Sequence, residues 1–182
     1  MNNKGSTLVL LVIIIALIFV LGTTALNVVL KQYEIKLFNT DTKQAFFMSE
    51  TGLNESYVKA CVLINDSIFN ALQVAEEYLV VNPLNNVEAE NMFISNYKLY
   101  IKSNIKGRIE TAANPSVEIR NGGAFVFIDN AMTVFLRSSY IQSNDVEKLT
   151  WVELIIKVPE FSNVLSGVYD VKEYIEFANW NS

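Results

Sequence analysis

No charged residue interrupts the chain between Lys4 and Lys31. That uncharged run, Gly5 to Leu30, is mostly apolar and 26 residues long, whereas about 20 predominantly apolar residues suffice to cross a bilayer as a helix. After Lys31 the apolar and small residues become periodic. Ile35, Phe38, Thr42, Ala45, Ser49, Gly52, Ser56, Ala60, Ile64, Ile68, Leu72, Ala75 and Leu79 follow at steps of three or four, the spacing of one stripe on an α-helix. The first proline is Pro83, so no ring breaks the pattern before it. The spacing predicts a helix from Ser6 to about Ile64, roughly 90 Å at 1.5 Å per residue. Asn65-Asp66-Ser67 carries capping side chains and predicts a break there, with a second helix through Tyr78 closed by Asn82-Pro83.

A further helix is predicted from Asn86 to about Lys106, with Ala89, Met92, Phe93, Tyr97 and Tyr100 on one side. From Ser116 the period changes to two. Val117 to Arg120, Asn121-Gly122-Gly123 and Ala124 to Asp129 read as a hairpin with a glycine turn. Met132 to Ser138 predicts a third strand. Trp151 to Val158 sets Val152, Leu154, Ile156 and Val158 against Glu153 and Lys157 and stops before Pro159. A last strand near Tyr169 to Phe177 puts Tyr169, Val171, Ile175 and Phe177 on one face. Long helix first, then consecutive antiparallel strands, is an α+β order with one sheet face on the helix stripe.

Composition narrows the chemistry. The 182 residues fit one globular domain plus an extra segment. A net charge of −5 argues against a general nucleic-acid binder, which needs a basic footprint. Histidine is absent, which removes His-based triads and most zinc sites. The single cysteine, Cys61, cannot close an intramolecular disulfide. No enzyme, cofactor or metal is expected. Gly122-Gly123 lacks the rest of a phosphate loop, and Asp129-Asn130 and Asn144-Asp145 are too sparse for a calcium loop. Asn54-Glu55-Ser56 and Asn65-Asp66-Ser67 match a glycosylation sequon by chance within helical pattern. Lys98, Lys102 and Lys106, four apart, read as a solvated face, with contact to an anionic polymer as the minor alternative.

Three readings compete for the first thirty residues. Lys4 and the apolar core Leu8 to Leu21 suit a signal peptide, but Thr23-Thr24-Ala25 is only a loose cleavage pattern and apolar residues continue to Leu30. A plain single-pass anchor is the second reading; with four residues ahead of the uncharged run, it expects no cytoplasmic domain to receive a signal. The third rests on Met1-Asn2-Asn3-Lys4-Gly5 followed by Ser6-Thr7-Leu8-Val9-Leu10, which resembles the leader of type IV prepilins: short, polar, basic, ending in glycine before an apolar helix. The resemblance implies a prepilin peptidase cutting between Gly5 and Ser6, and an assembly helix carrying Leu8, Leu10, Ile14 and Phe19. Most major pilins have glutamate at the fifth mature position, where this chain has Leu10. In the family that carboxylate is thought to meet the amine of the neighbour above. Its absence fits a subunit at the filament tip, or simply a better membrane anchor.

Ala45-Phe46-Phe47-Met48-Ser49-Glu50-Thr51-Gly52-Leu53 resembles the A-F-x-x-A-E-x-G-L stretch after the membrane helix in PilX-type minor pilins and K-type tip pseudopilins of type II secretion. Ala45, Ser49, Gly52 and Ser56 form a face without bulk, which lets a sheet or a helix come close. The expectation is packing within the subunit, with Phe46, Glu50 and Leu53 in the same motif and Glu50 as a candidate subunit contact. The resemblance implies a leader (1–5), a membrane and polymerisation helix (6–30), an amphipathic continuation with a second helix (31–82) and an α+β head (83–182). It also implies the partners: other pilin subunits, prepilin peptidase, an assembly platform and membrane lipid before assembly. The alternative is a membrane-tethered or secreted binding domain that never polymerises.

Overall fold

A computed structural model describes residues 4–121, 125–142 and 146–181, with side chains from Thr7 onward. Helix α1 spans Lys4–Val81 and helix α2 Asn86–Ile109. Strands β1 (Ser116–Ile119), β2 (Ala131–Ile141), β3 (Glu147–Lys157) and β4 (Ile175–Asn181) form an antiparallel sheet in the order β1-β2-β3-β4. A short helix α3 (Phe161–Leu165) and a 3₁₀ turn (Val171–Tyr174) connect β3 to β4. The fold is α+β, with the long helix packed on a four-stranded sheet. Contacts divide the chain into two units, Met1–Lys43 and Gln44–Ser182.

The described residues of the first unit are all part of α1. Its apolar side chains from Leu8 to Leu30 are exposed, and α1 is by length and composition a candidate membrane span.

In the second unit the predicted stripe faces inward. Ala45, Ser49, Leu53, Ser56, Ala60, Ile64, Ile68 and Ala75 are buried against the inner sheet face, which presents Val134, Leu136, Leu154 and Ile156. The predicted break at Asn65-Asp66-Ser67 does not occur. Ile64 and Ile68 are fully buried on either side of it, and core packing outweighs the weak helix propensity of polar residues. Ser67 donates to the Ile64 carbonyl (2.8 Å) instead of capping. Asp66 reaches across to Arg108 of α2 (3.3 Å).

Helix α2 starts where Asn85 accepts from the Glu88 amide (3.3 Å), and it runs three residues beyond the predicted end at Lys106. Glu88 in its first turn and Lys106 and Arg108 in its last follow the helix dipole. Its buried edge is Ala89, Phe93, Tyr97, Ile101, Ile105 and Ile109. Met92 and Tyr100 lie only half-buried beside it.

The predicted glycine hairpin is replaced by different pairing. β1 pairs with β2, Val117 opposite Ser138, and Asn121 extends that ladder with its side chain, donating to Thr133 O (3.1 Å) and accepting from Phe135 N (2.8 Å). Residues 125–127 form no strand. Asp129 and Asn130, at φ 48° and 61°, turn the chain between Ile128 and Ala131, whose backbones exchange hydrogen bonds of 2.8 and 2.9 Å. Two consecutive left-handed residues are what a tight hairpin needs, and Asp and Asn tolerate them. Gly122, Gly123, Ala124, Asn144 and Asp145 lie outside the described residues. The predicted strand from Tyr169 also begins late. Asp170 accepts from the Lys172 amide (3.0 Å) and opens the 3₁₀ turn, so extension starts at Ile175. Tyr169, Val171, Ile175 and Phe177 nevertheless all pack on the core.

Candidate functional site

Two parts of α1 carry the functional expectations. In the first, Leu8, Leu10, Ile14 and Phe19 are all exposed, as are their apolar neighbours around the whole helix circumference. A helix apolar on every side needs an apolar environment. Within it Thr23 donates to the Phe19 carbonyl (2.9 Å) and Thr24 to the Leu21 carbonyl (2.9 Å), so these two hydroxyls are satisfied by the helix itself, as an apolar environment requires. Gly5 and Ser6 are helical in backbone, and Met1 to Asn3 lie outside the described residues.

The second part is the Ala45–Leu53 segment. Ala45, Ser49 and Leu53 are fully buried. Ser49 and Thr150 of β3 share a buried hydroxyl–hydroxyl hydrogen bond, and Ser49 also donates to the Phe46 carbonyl (2.8 Å). Gly52 faces β2 and the loop before β1: a Cβ there would lie 2.5 Å from Ser138 Oγ and 3.1 Å from Pro115 Cγ. Glycine is present because the sheet comes too close for any side chain. Asn114 fixes that loop, donating to Ile141 O (2.7 Å) and accepting from Ile141 N (3.1 Å). The face without bulk is thus used inside the chain.

Phe46 and Glu50, the two other members of the motif, are half-buried. Phe46 stands edge-on to the exposed Phe47, ring centres 5.7 Å apart.

Sequence reasoning missed a second stripe on the same helix. Phe47, Val58, Val62 and Phe69 are exposed. Their spacings of 11, 4 and 7 bring them to one side, roughly opposite the buried stripe at about 100° per residue. The signal was in the sequence, hidden because the first stripe accounted for the helix by itself.

No cluster of three or more metal-ligating side chains occurs among the described residues. Asn130 accepts from Lys98 Nζ (2.8 Å), and Lys98 and Lys102 stand 5.7 and 5.9 Å from the Phe127 ring centre. Cys61 carries a free thiol, and partial burial pushes its pKa up against the pull of a Tyr57 hydrogen bond and Lys172. A thiol so placed is a poor nucleophile. Tyr97 is pushed well above the ordinary phenol range by burial, and its hydroxyl donates to the Lys157 carbonyl (3.0 Å). These groups bind core elements together. No family model, no curated protein and no solved structure matches the chain.

Proposed function

We propose that this chain is a structural subunit of a type IV pilus-like filament, held in the cytoplasmic membrane by its apolar helix until assembly. The observation that carries the reading is the wholly exposed apolar run of α1, on an element that further along carries the stripe covered by the sheet. Each large apolar side chain moved from water into lipid or protein contributes about 1.5–3 kcal/mol. An assembly step that exchanges lipid for like helices therefore keeps this benefit throughout.

On this reading a prepilin peptidase cuts between Gly5 and Ser6. Leu8, Leu10, Ile14 and Phe19 then pack among the helices of other subunits, while an assembly platform encoded elsewhere drives extraction from the membrane. The outer stripe of Phe47, Val58, Val62 and Phe69 supplies further apolar contact for a neighbour. Ala45, Ser49, Gly52 and Leu53 hold the head on its own helix, which leaves Glu50 as the motif's candidate subunit contact.

The test is co-expression with a prepilin peptidase and membrane fractionation. The account expects a membrane-bound chain beginning at Ser6, and a Gly5→Ala variant that stays unprocessed. An intact Met1 in the presence of active peptidase would support a plain anchor, and a start near Leu26 a secreted domain.

A further inference from the structure

The turn joining α1 to α2 carries an unusual surface. Val80, Val81, Leu84 and Val87 are 83%, 76%, 97% and 72% exposed. Four aliphatic side chains held in water within eight residues mark an interaction surface. Its surroundings are acidic. Glu76, Glu77, Glu88 and Glu90 are exposed, and no lysine or arginine occurs between Lys59 and Lys98. An anionic membrane would repel such a tip, and a basic-rimmed apolar surface would attract it.

The same body carries a surface of that kind. Further along α2, Lys98, Lys102, Lys106 and Arg108 follow with no acidic residue among them. Arg108 is engaged by Asp66 and the half-buried Lys98 by Asn130 (2.8 Å), leaving Lys102 and Lys106 exposed. The Phe127 ring sits beneath Lys98 and Lys102, and its flanking residues Val126 and Ile128 are exposed, as is Leu99. Asp129, in the turn beside Asn130, is exposed and acidic. Along α2 the two surfaces are roughly 20 Å apart at 1.5 Å per residue, so one molecule cannot bring them together.

We propose that the acidic apolar tip of one copy docks on the lysine-rimmed patch of Leu99, Val126 and Ile128 of a second copy. The two surfaces differ, so the contact is head-to-tail. A contact of that kind repeats along a chain of copies and does not close into a symmetric pair. Apolar burial supplies the attraction, and the opposed charges fix polarity by disfavouring tip-to-tip and patch-to-patch pairing. The contact requires at least two copies in succession. Both surfaces lie within Gln44–Ser182, and the contact does not depend on how the N-terminus is processed.

Two differently tagged full-length copies in one vesicle preparation provide the test. Both carry Cys61→Ser; one carries Leu84→Cys and the other Ile128→Cys. A short bismaleimide should link the mixed pair and give little product from copies that both carry Leu84→Cys or both carry Ile128→Cys. Lys102→Glu with Lys106→Glu on the patch copy should cut the mixed product several-fold, and Glu88→Lys with Glu90→Lys on the tip copy should restore it. Absence of the mixed product, or equal yield from like pairs, overturns the proposal. If the charge variants fail to fold, the yield from the cysteine pairs alone decides, and rising salt should lower it. The mature N-terminus, measured on the same samples, reports separately on the filament reading.

Discussion

Replacing Gly52 by alanine tests whether the A-F-x-x-S-E-x-G-L segment serves packing within the chain. At an open helical site the change stabilises by about 1 kcal/mol, because alanine is the better helix former. Gly107 in α2 is such a site, with nothing within 4 Å of an added Cβ. At Gly52 the same methyl would sit 2.5 Å from Ser138 Oγ and 3.1–3.2 Å from the Pro115 ring. The proline is rigid, and Asn114 ties its loop to β2. Forcing a methyl into a well-packed core costs about 1–3 kcal/mol, so the steric term exceeds the propensity gain. Gly52→Ala should destabilise by up to about 2 kcal/mol, or up to roughly 8 °C in Tm at about 2–4 °C per kcal/mol for a chain of this size. Gly107→Ala should shift stability the other way. Ser138 Oγ is buried without a hydrogen-bond partner among the described residues, so Ser138→Ala removes the closest obstruction at little cost. The double variant should regain about 1 kcal/mol relative to additivity. Denaturant titration of the full chain in detergent, followed by circular dichroism, reads all four. If Gly52→Ala were as stabilising as Gly107→Ala, the close approach of sheet to helix would be wrong.

Other outcomes follow from single contacts. Ser49→Ala should cost about 1–2 kcal/mol by orphaning the buried Thr150 hydroxyl, and adding Thr150→Val should return most of it in the same titration, since removing both partners is nearly neutral. Glu110→Ala should loosen β1, because its carboxylate accepts from the Ile119 amide (3.2 Å) at the sheet edge; faster hydrogen exchange at Ile119 with little change elsewhere would show it. Tyr97→Phe should cost about 1–2 kcal/mol by leaving the Lys157 carbonyl unpaired. Tyr97 also makes stability depend on alkaline pH. Its folded pKa is raised above the ordinary 10.0, so the native state keeps a proton that the unfolded chain loses, and its contribution is full below about pH 10 and declines as pH rises beyond it. In the Tyr97→Phe variant that decline should be shallower, measured as denaturation midpoints from neutral to alkaline pH.

The helical part of the fold was legible because its stripe is continuous. Thirteen positions from Ile35 to Leu79 at steps of three and four leave no other element that fits. The misplaced break at Asn65-Asp66-Ser67 shows the limit of local signals: capping side chains mark a helix end only where the core lets the helix stop, and here Ile64 and Ile68 hold both sides. Strand β3 was legible from the alternation of Val152, Leu154 and Ile156 with Glu153 and Lys157, although it begins at Glu147 and not at Trp151. The β1–β2 pairing was not, because Asp129 and Asn130, which make a tight turn at positive φ, carry a weaker turn signal than paired glycines. In the motif, the lack of bulk at Ala45, Ser49, Gly52 and Ser56 was visible in sequence. That Pro115 and Ser138 fill the space over Gly52 was not, because those contacts span more than sixty residues of chain. The outer stripe and the acidic tip escaped for a related reason: apolar residues read as core until a structure shows them uncovered.

The most direct test of the filament reading is the intact mass of the chain purified from membranes that contain an active prepilin peptidase. The account predicts a species lacking residues 1–5, beginning at Ser6 and retaining every residue from Thr7 to Leu30. A soluble chain that has lost that apolar helix would contradict it.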